Sequence, residues 1–146
     1  MIKSFSINKN TNPSVNEEKI YVLACILVEA AMIDEVFGED EKTIILNILK
    51  NYFNLNDNNY LQSMIEKAIN TFKESSDLIT HTKKIKENWA LSDRRDVIEM
   101  LWKVCLVDGK LEPYEDMLIR RIAGLIYVDD KNRNVAKKKA MENLNK

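Results

Sequence analysis

Two short stretches of the chain crowd carboxylates together: DEVFGEDE at residues 34–41 and DGKLEPYE at residues 108–115. Each opens with an Asp and closes with a Glu seven positions on, so Asp34 stands to Glu41 as Asp108 stands to Glu115. Hard divalent cations such as Ca2+ or Mg2+ take oxygen ligands from bends of this kind, which makes these four residues the candidate metal set. A structural role competes with that reading. Glu41 and Glu115 each follow a candidate helix cap, Gly38 or Glu112, by three residues, where a Glu side chain reaches back to the cap N–H. Neither stretch is an EF-hand, because its third position is Val36 or Lys110 and the spacing to the final Glu is wrong.

Other chemistry is thin. His81, the single histidine, sits in the polar run ITHTKK without a second His or Cys at ligand spacing and reads as a surface residue. Cys25 and Cys105 are isolated within apolar runs, which fits packed thiols in a reducing, cytoplasmic setting better than a disulfide or zinc site. No nucleophile elbow, phosphate loop or dinucleotide fingerprint is written in the chain, and an enzyme is not expected. The pairs Arg94–Arg95 and Arg120–Arg121 are read as solvated faces with i,i+4 partners such as Glu99 for Arg95. With 22 basic and 23 acidic residues, the whole molecule has no field to draw it onto nucleic acid.

These residues need elements to hold them. The 146 residues, 45% hydrophobic and 31% charged, suit one domain with a continuous core, and three Gly and two Pro leave little punctuation. Apolar residues recur at helical spacing, so the expected fold is all-α with about seven helices. Residues 1–15 read as a leader and flexible linker, with no stretch long and apolar enough for secretion or a membrane span. The domain is expected over 16–146. Its first helix, apolar on nearly every side, should run to Asp34, and a second from about Glu39 to Phe53 with Ile44, Ile45, Ile48, Leu49 and Tyr52 as its stripe. Asp57 should cap a third helix to Phe72 and Asp77 a fourth to Trp89. Ser92 should cap a fifth to Asp108–Gly109, Pro113 open a sixth to Tyr127, and Asp129 or Asp130 cap a last one to Leu144. The lysines at 137–139 read as a solvated helix end.

Sliding the chain on itself by 74 positions superposes residues 27–53 on 101–127 without a gap, pairing Leu27 with Leu101, Asp34 with Asp108, Glu41 with Glu115, Ile45 with Ile119 and Ile48 with Ile122. The expectation is an internal pseudo-twofold duplication, with repeats at about 20–72 and 93–144 and the first and fifth helices packed across the axis. On that symmetry Glu29 pairs with position 103, and either a buried Glu29–Lys103 ion pair or a solvent-facing Glu29 follows.

The segments LVEAAMID and LWKVCLVDGKLEPYEDMLIRRIAGL resemble the two core motifs of the TerB (tellurite-resistance) family, particularly its small stand-alone proteobacterial branch. The resemblance extends over about residues 18–140, and DGKLEPYE is its more specific element. The first corner departs from the family's usual Asp-Gly at Asp34–Glu35, whereas the second keeps Gly109, which tolerates a positive φ more readily. Membership implies a seven-helix, internally symmetric fold, acidic positions matching Asp34, Glu41, Asp108 and Glu115 that are associated with metal, and a connection to stress responses. Related domains occur beside J-domains in membrane-anchored co-chaperones. The expected function is a non-enzymatic binding module with a protein partner and a divalent cation at the corners. An adaptor without metal and a metal-dependent hydrolase are the alternatives, and oligomeric state is left open.

Overall fold

The computed structural model describes residues 13–32, 38–75, 77–107 and 112–144, and among these it contains seven helices and no strand. They are α1 (Pro13–Ala31), α2 (Glu39–Phe53), α3 (Asn58–Glu74), α4 (Leu78–Asn88), α5 (Leu91–Cys105), α6 (Pro113–Leu125) and α7 (Asp130–Leu144). No helix among the described residues is long and apolar enough to cross a membrane.

Helix α1 begins at Pro13, ahead of the expected start at Asn16, because proline suits a first turn whose N–H groups lack partners. Its residues Leu23, Ala24, Ile26, Leu27 and Val28 are all fully buried, and a helix buried on successive positions must be covered on every side. Accordingly α1 packs against α2, α3, α4, α5 and α6. Helix α5 is the second hub, burying Val97, Ile98, Leu101, Trp102, Val104 and Cys105 against α1, α2, α6 and α7. The first and fifth helices therefore touch. Ala136 and Ala140 are the buried apolar positions of α7, and their small side chains let its backbone come close to α5.

The helix ends have local causes. Asn54 adopts the left-handed conformation at φ 53° and Leu55 N–H returns to the Lys50 carbonyl, which closes α2 as the sequence predicts. Asp57 caps α3 by accepting from Tyr60 N–H at 3.1 Å, and Asp129 caps α7 by accepting from Asn132 N–H at 2.9 Å. Helix α5 starts one residue before Ser92: the Ala90 carbonyl already accepts the Arg94 N–H, so Ser92 lies inside the first turn. Helix α6 stops short of Tyr127, which turns left-handed at φ 61° and lets Val128 N–H return to the Ala123 carbonyl.

Arg94 fastens that last turn from outside. Its guanidinium donates to the carbonyls of Trp89, Ile126 and Tyr127 at 3.1, 3.0 and 3.2 Å, so a residue expected on a solvated face joins the ends of α4 and α6. Arg95 reaches Asn132 and not Glu99, which is already held by Lys103. Lys137, the first residue of the lysine run, lies 4.9 Å over the Trp102 ring, while Lys138 and Lys139 are exposed.

Candidate functional site

The two corners are built alike where they are described. Gly38 N–H donates to Glu41 Oε1 at 2.9 Å at the start of α2, and Glu112 N–H donates to Glu115 Oε1 at 2.9 Å at the start of α6. Each Glu thus satisfies an orphan donor of its own helix and places negative charge at the positive helix end. They differ in burial: Glu115 is nine-tenths buried and Glu41 only partly so. Neighbouring acids carry cations, with Glu39 3.7 Å from Lys42 and Asp116 3.0 Å from Arg120. Asp34 and Asp108, with Glu35 and Gly109, lie outside the described residues. Among the described residues no three His, Cys, Asp or Glu side chains converge as a metal-binding set.

His81 is not a surface residue. It lies with Leu78, Thr82 and Ile85 on the buried stripe of α4, at the i, i+3, i+4, i+7 spacing that the polar letters of ITHTKK obscure. Its ring meets Tyr21 edge-on at 6.0 Å, and its Nδ1 has no hydrogen-bond partner among the described residues. Burial lowers its pKa, with Asp77 pulling the other way. Tyr21 shares a 2.5 Å hydrogen bond with Thr71, and Lys67 lies 4.8 Å over its ring. Cys25, one turn on from Tyr21, is a buried free thiol pushed up to about 11, chiefly by burial. Cys105 is also free and buried.

A concavity lies elsewhere among the described residues. A groove of about 810 Å³ runs between α2, α5 and α7, with Ile44, Ile48, Met100, Leu106 and Ala140 among its apolar lining. Asn51, Asn143, Asp96, Glu99 and Lys103 bring polar groups to it. Lys103 Nζ sits 3.3 Å from Glu99 Oε2, an i,i+4 pair, so Lys103 is engaged along its own helix. Glu29 itself is half-buried, and its charge helps to raise the Cys25 thiol. Tyr52 also lines the groove, as its last residue from α2. Its hydroxyl donates to Asp93 Oδ1 at 2.5 Å, and burial together with that carboxylate raises its pKa. Asp93 also meets Lys19 of α1 at 3.8 Å, and Lys19 lies 4.7 Å over Trp89.

The sequence carried one sign of this groove. The stripe of α2 is wider than its core contact needs: Ile45 and Leu49 are fully buried, whereas Ile44, Ile48 and Tyr52, one step round the helix, face the groove.

No curated protein and no solved structure matches the chain. The model of one family, tellurite resistance protein TerB, matches residues 21–138, from the third turn of α1 to the middle of α7. That span takes in both hub helices, both Glu-capped corners and nearly all of the groove, and the chain belongs to the TerB family.

Proposed function

We propose that this TerB-family chain is a non-enzymatic binding domain whose groove between α2, α5 and α7 takes a protein segment with an apolar face. The groove itself carries the reading: Ile48, Met100 and Leu106 give it an apolar lining, with Asp96 and the Glu99–Lys103 pair as polar groups beside it. The groups that would be needed for nucleophilic or acid–base work point the same way. Cys25 is buried with a pKa of about 11, and His81 packs against Tyr21 in the interior. The two free thiols support a reducing, cytoplasmic setting, and the family's description, tellurite resistance protein, supports a role in a stress response.

A photo-crosslinking side chain at Asn51, compared with the same group at exposed Lys73 on α3, tests this in cells. Adducts from position 51 alone, lost on Met100→Glu, are the expected outcome. Equal labelling from both positions overturns the reading.

The matched Glu41 and Glu115 geometry supports a second reading, in which Asp34 and Asp108 complete cation sites at the corners. Calorimetry with millimolar Ca2+, Mg2+, Mn2+ and Zn2+, on the wild type and on Asp108→Asn/Glu115→Gln, checks it. Heat in the wild type that is lost in the variant is expected. No heat and no melting shift with any of the four sinks it.

A further inference from the structure

We infer that the α2–α5–α7 groove takes its partner as an extended strand of about four residues, whose backbone amides pair with the carboxamides of Asn47 and Asn51 on α2. The inference rests on the reading of the groove as a binding surface for a protein segment and adds the conformation that the surface selects.

The hydrogen-bonding groups along the groove are of two kinds. The charged and phenolic ones are engaged within the fold: Glu99 with Lys103 at 3.3 Å, the Tyr52 hydroxyl with Asp93 at 2.5 Å, and Asp96, whose charge acts on that same hydroxyl. The carboxamides of Asn47, Asn51 and Asn143 are exposed and make no hydrogen bond among the described residues. Other asparagines of the chain are committed: Asn88 donates to the Lys84 carbonyl at 3.0 Å, and Asn132 accepts from Arg95 at 3.4 Å. A carboxamide donates and accepts side by side, so a peptide group matches it with two hydrogen bonds, its C=O accepting and its N–H donating.

Spacing decides which partner conformation can use these groups. On α2, Asn47 and Asn51 form one row, a turn apart and about 6 Å along the axis, beside the parallel apolar row of Ile44, Ile48 and Tyr52. In an extended chain each residue turns its N–H and C=O to one edge, and the same edge recurs two residues on, about 6.6–6.8 Å away. Residues i and i+2 of a strand therefore meet the two asparagines in turn. Residue i+1 turns its amide to the opposite edge, where α7 presents Asn143 across α5, the helix that packs on both walls. A helical partner offers no such groups, because its own backbone bonds satisfy them. The apolar row from Ile44 to Tyr52 spans about 12 Å, the length of about four extended residues. Side chains of a strand alternate, so one alternate pair faces Ile48 and Met100, and the segment selected has apolar residues at every second position.

The test selects phage-displayed random heptapeptides on the full chain and reads the spacing of apolar residues in the enriched sequences. A spacing of two is expected. Binding of the best synthetic peptide should weaken at least tenfold with Asn47→Ala/Asn51→Ala, exposed positions where alanine favours the helix, and with Ile48→Asp in a chain of unchanged helicity. Replacing a backbone N–H of the peptide by an ester oxygen should cost at least fivefold at two alternate residues with the wild type, and nothing with the asparagine variant. An apolar spacing of three or four, no fixed spacing, or ester losses equal in both chains overturn the inference. Loss on Ile48→Asp with full binding by the asparagine variant refutes the strand pairing and leaves the groove reading standing. Enrichment that Ile48→Asp does not affect, or no enrichment at all, sinks both.

Discussion

Tyr52 and Asp93 meet hydroxyl to carboxylate at 2.5 Å across 41 residues of sequence, and Lys19 joins the same carboxylate at 3.8 Å. One acid on α5 thereby holds α2 and α1 together beside the groove. A hydrogen bond to a charged acceptor contributes about 1.5–3 kcal/mol, and Tyr52→Phe removes it while keeping the ring against Phe53. Tyr52→Phe is expected to lower stability by about 2 kcal/mol in urea titration, with the helical content unchanged.

Arg94 should tolerate no substitution by lysine. Three carbonyls from two helix ends converge on its guanidinium, and an ammonium cannot present donors in that fork. Both Arg94→Lys and Arg94→Ala are expected to cost about 1–3 kcal/mol. A lysine variant that melts with the wild type would show that the carbonyls are satisfied equally well by water.

The capping glutamates can be separated from any cation by choice of substitution. Gln keeps the oxygen that accepts the cap N–H, whereas Ala removes it. Glu41→Ala and Glu115→Ala should each lose about 1 kcal/mol, with the larger loss at Glu115 because its surroundings are buried. The Gln variants should keep most of the stability. Thermal melts of all four chains without added metal decide this.

The buried thiol predicts a weakness at high pH. Cys25 goes from an ordinary 9.0 to about 11 in the fold, so the folded chain holds its proton where the unfolded chain releases it. Stability is complete below pH 9 and declines as pH rises to 11, by about 2–3 kcal/mol for two units. Tyr52, also raised, adds to the loss above its ordinary 10.0. Cys25→Ala should flatten the decline between pH 9 and 10, read from denaturant midpoints.

His81 predicts the complementary weakness in acid. Its folded pKa lies below 6.5, so the unfolded chain takes up the proton first and stability falls as pH drops below 6.5. Asp77 opposes that shift and Lys84 reinforces it, so Asp77→Asn should steepen the fall. His81→Phe should remove the His81 contribution, as followed by melting temperature from pH 7.5 to 5.

What could be read from the letters alone follows a physical divide. Helix α2 appears over the predicted residues because its stripe, its acidic first turn and Asn54 all agree. Glu41 and Glu115 were legible as caps because an N3 contact is local, and the helix class followed from periodicity. His81 was misread because its stripe partners are spread through polar letters, and the direction of a helix face is set by what packs on it. Arg94 was misread because its partners lie up to 33 residues away. Beyond the wide stripe of α2 the groove was not legible, since it is the space left between three helices and only their packing defines it. Asp34 and Asp108, two of the four candidate ligands, lie outside the described residues.

The burial of α1 on every side sets how the molecule comes apart. An amide in the fully buried middle of α1, from Leu23 to Val28, can exchange with solvent only when the helices around it have left, and those are α2 to α6. Its protons should therefore exchange at the rate of global opening, with α7, which lies on the far side of α5, free to detach earlier. A partner that loosened α7 would widen the groove and leave that innermost layer closed.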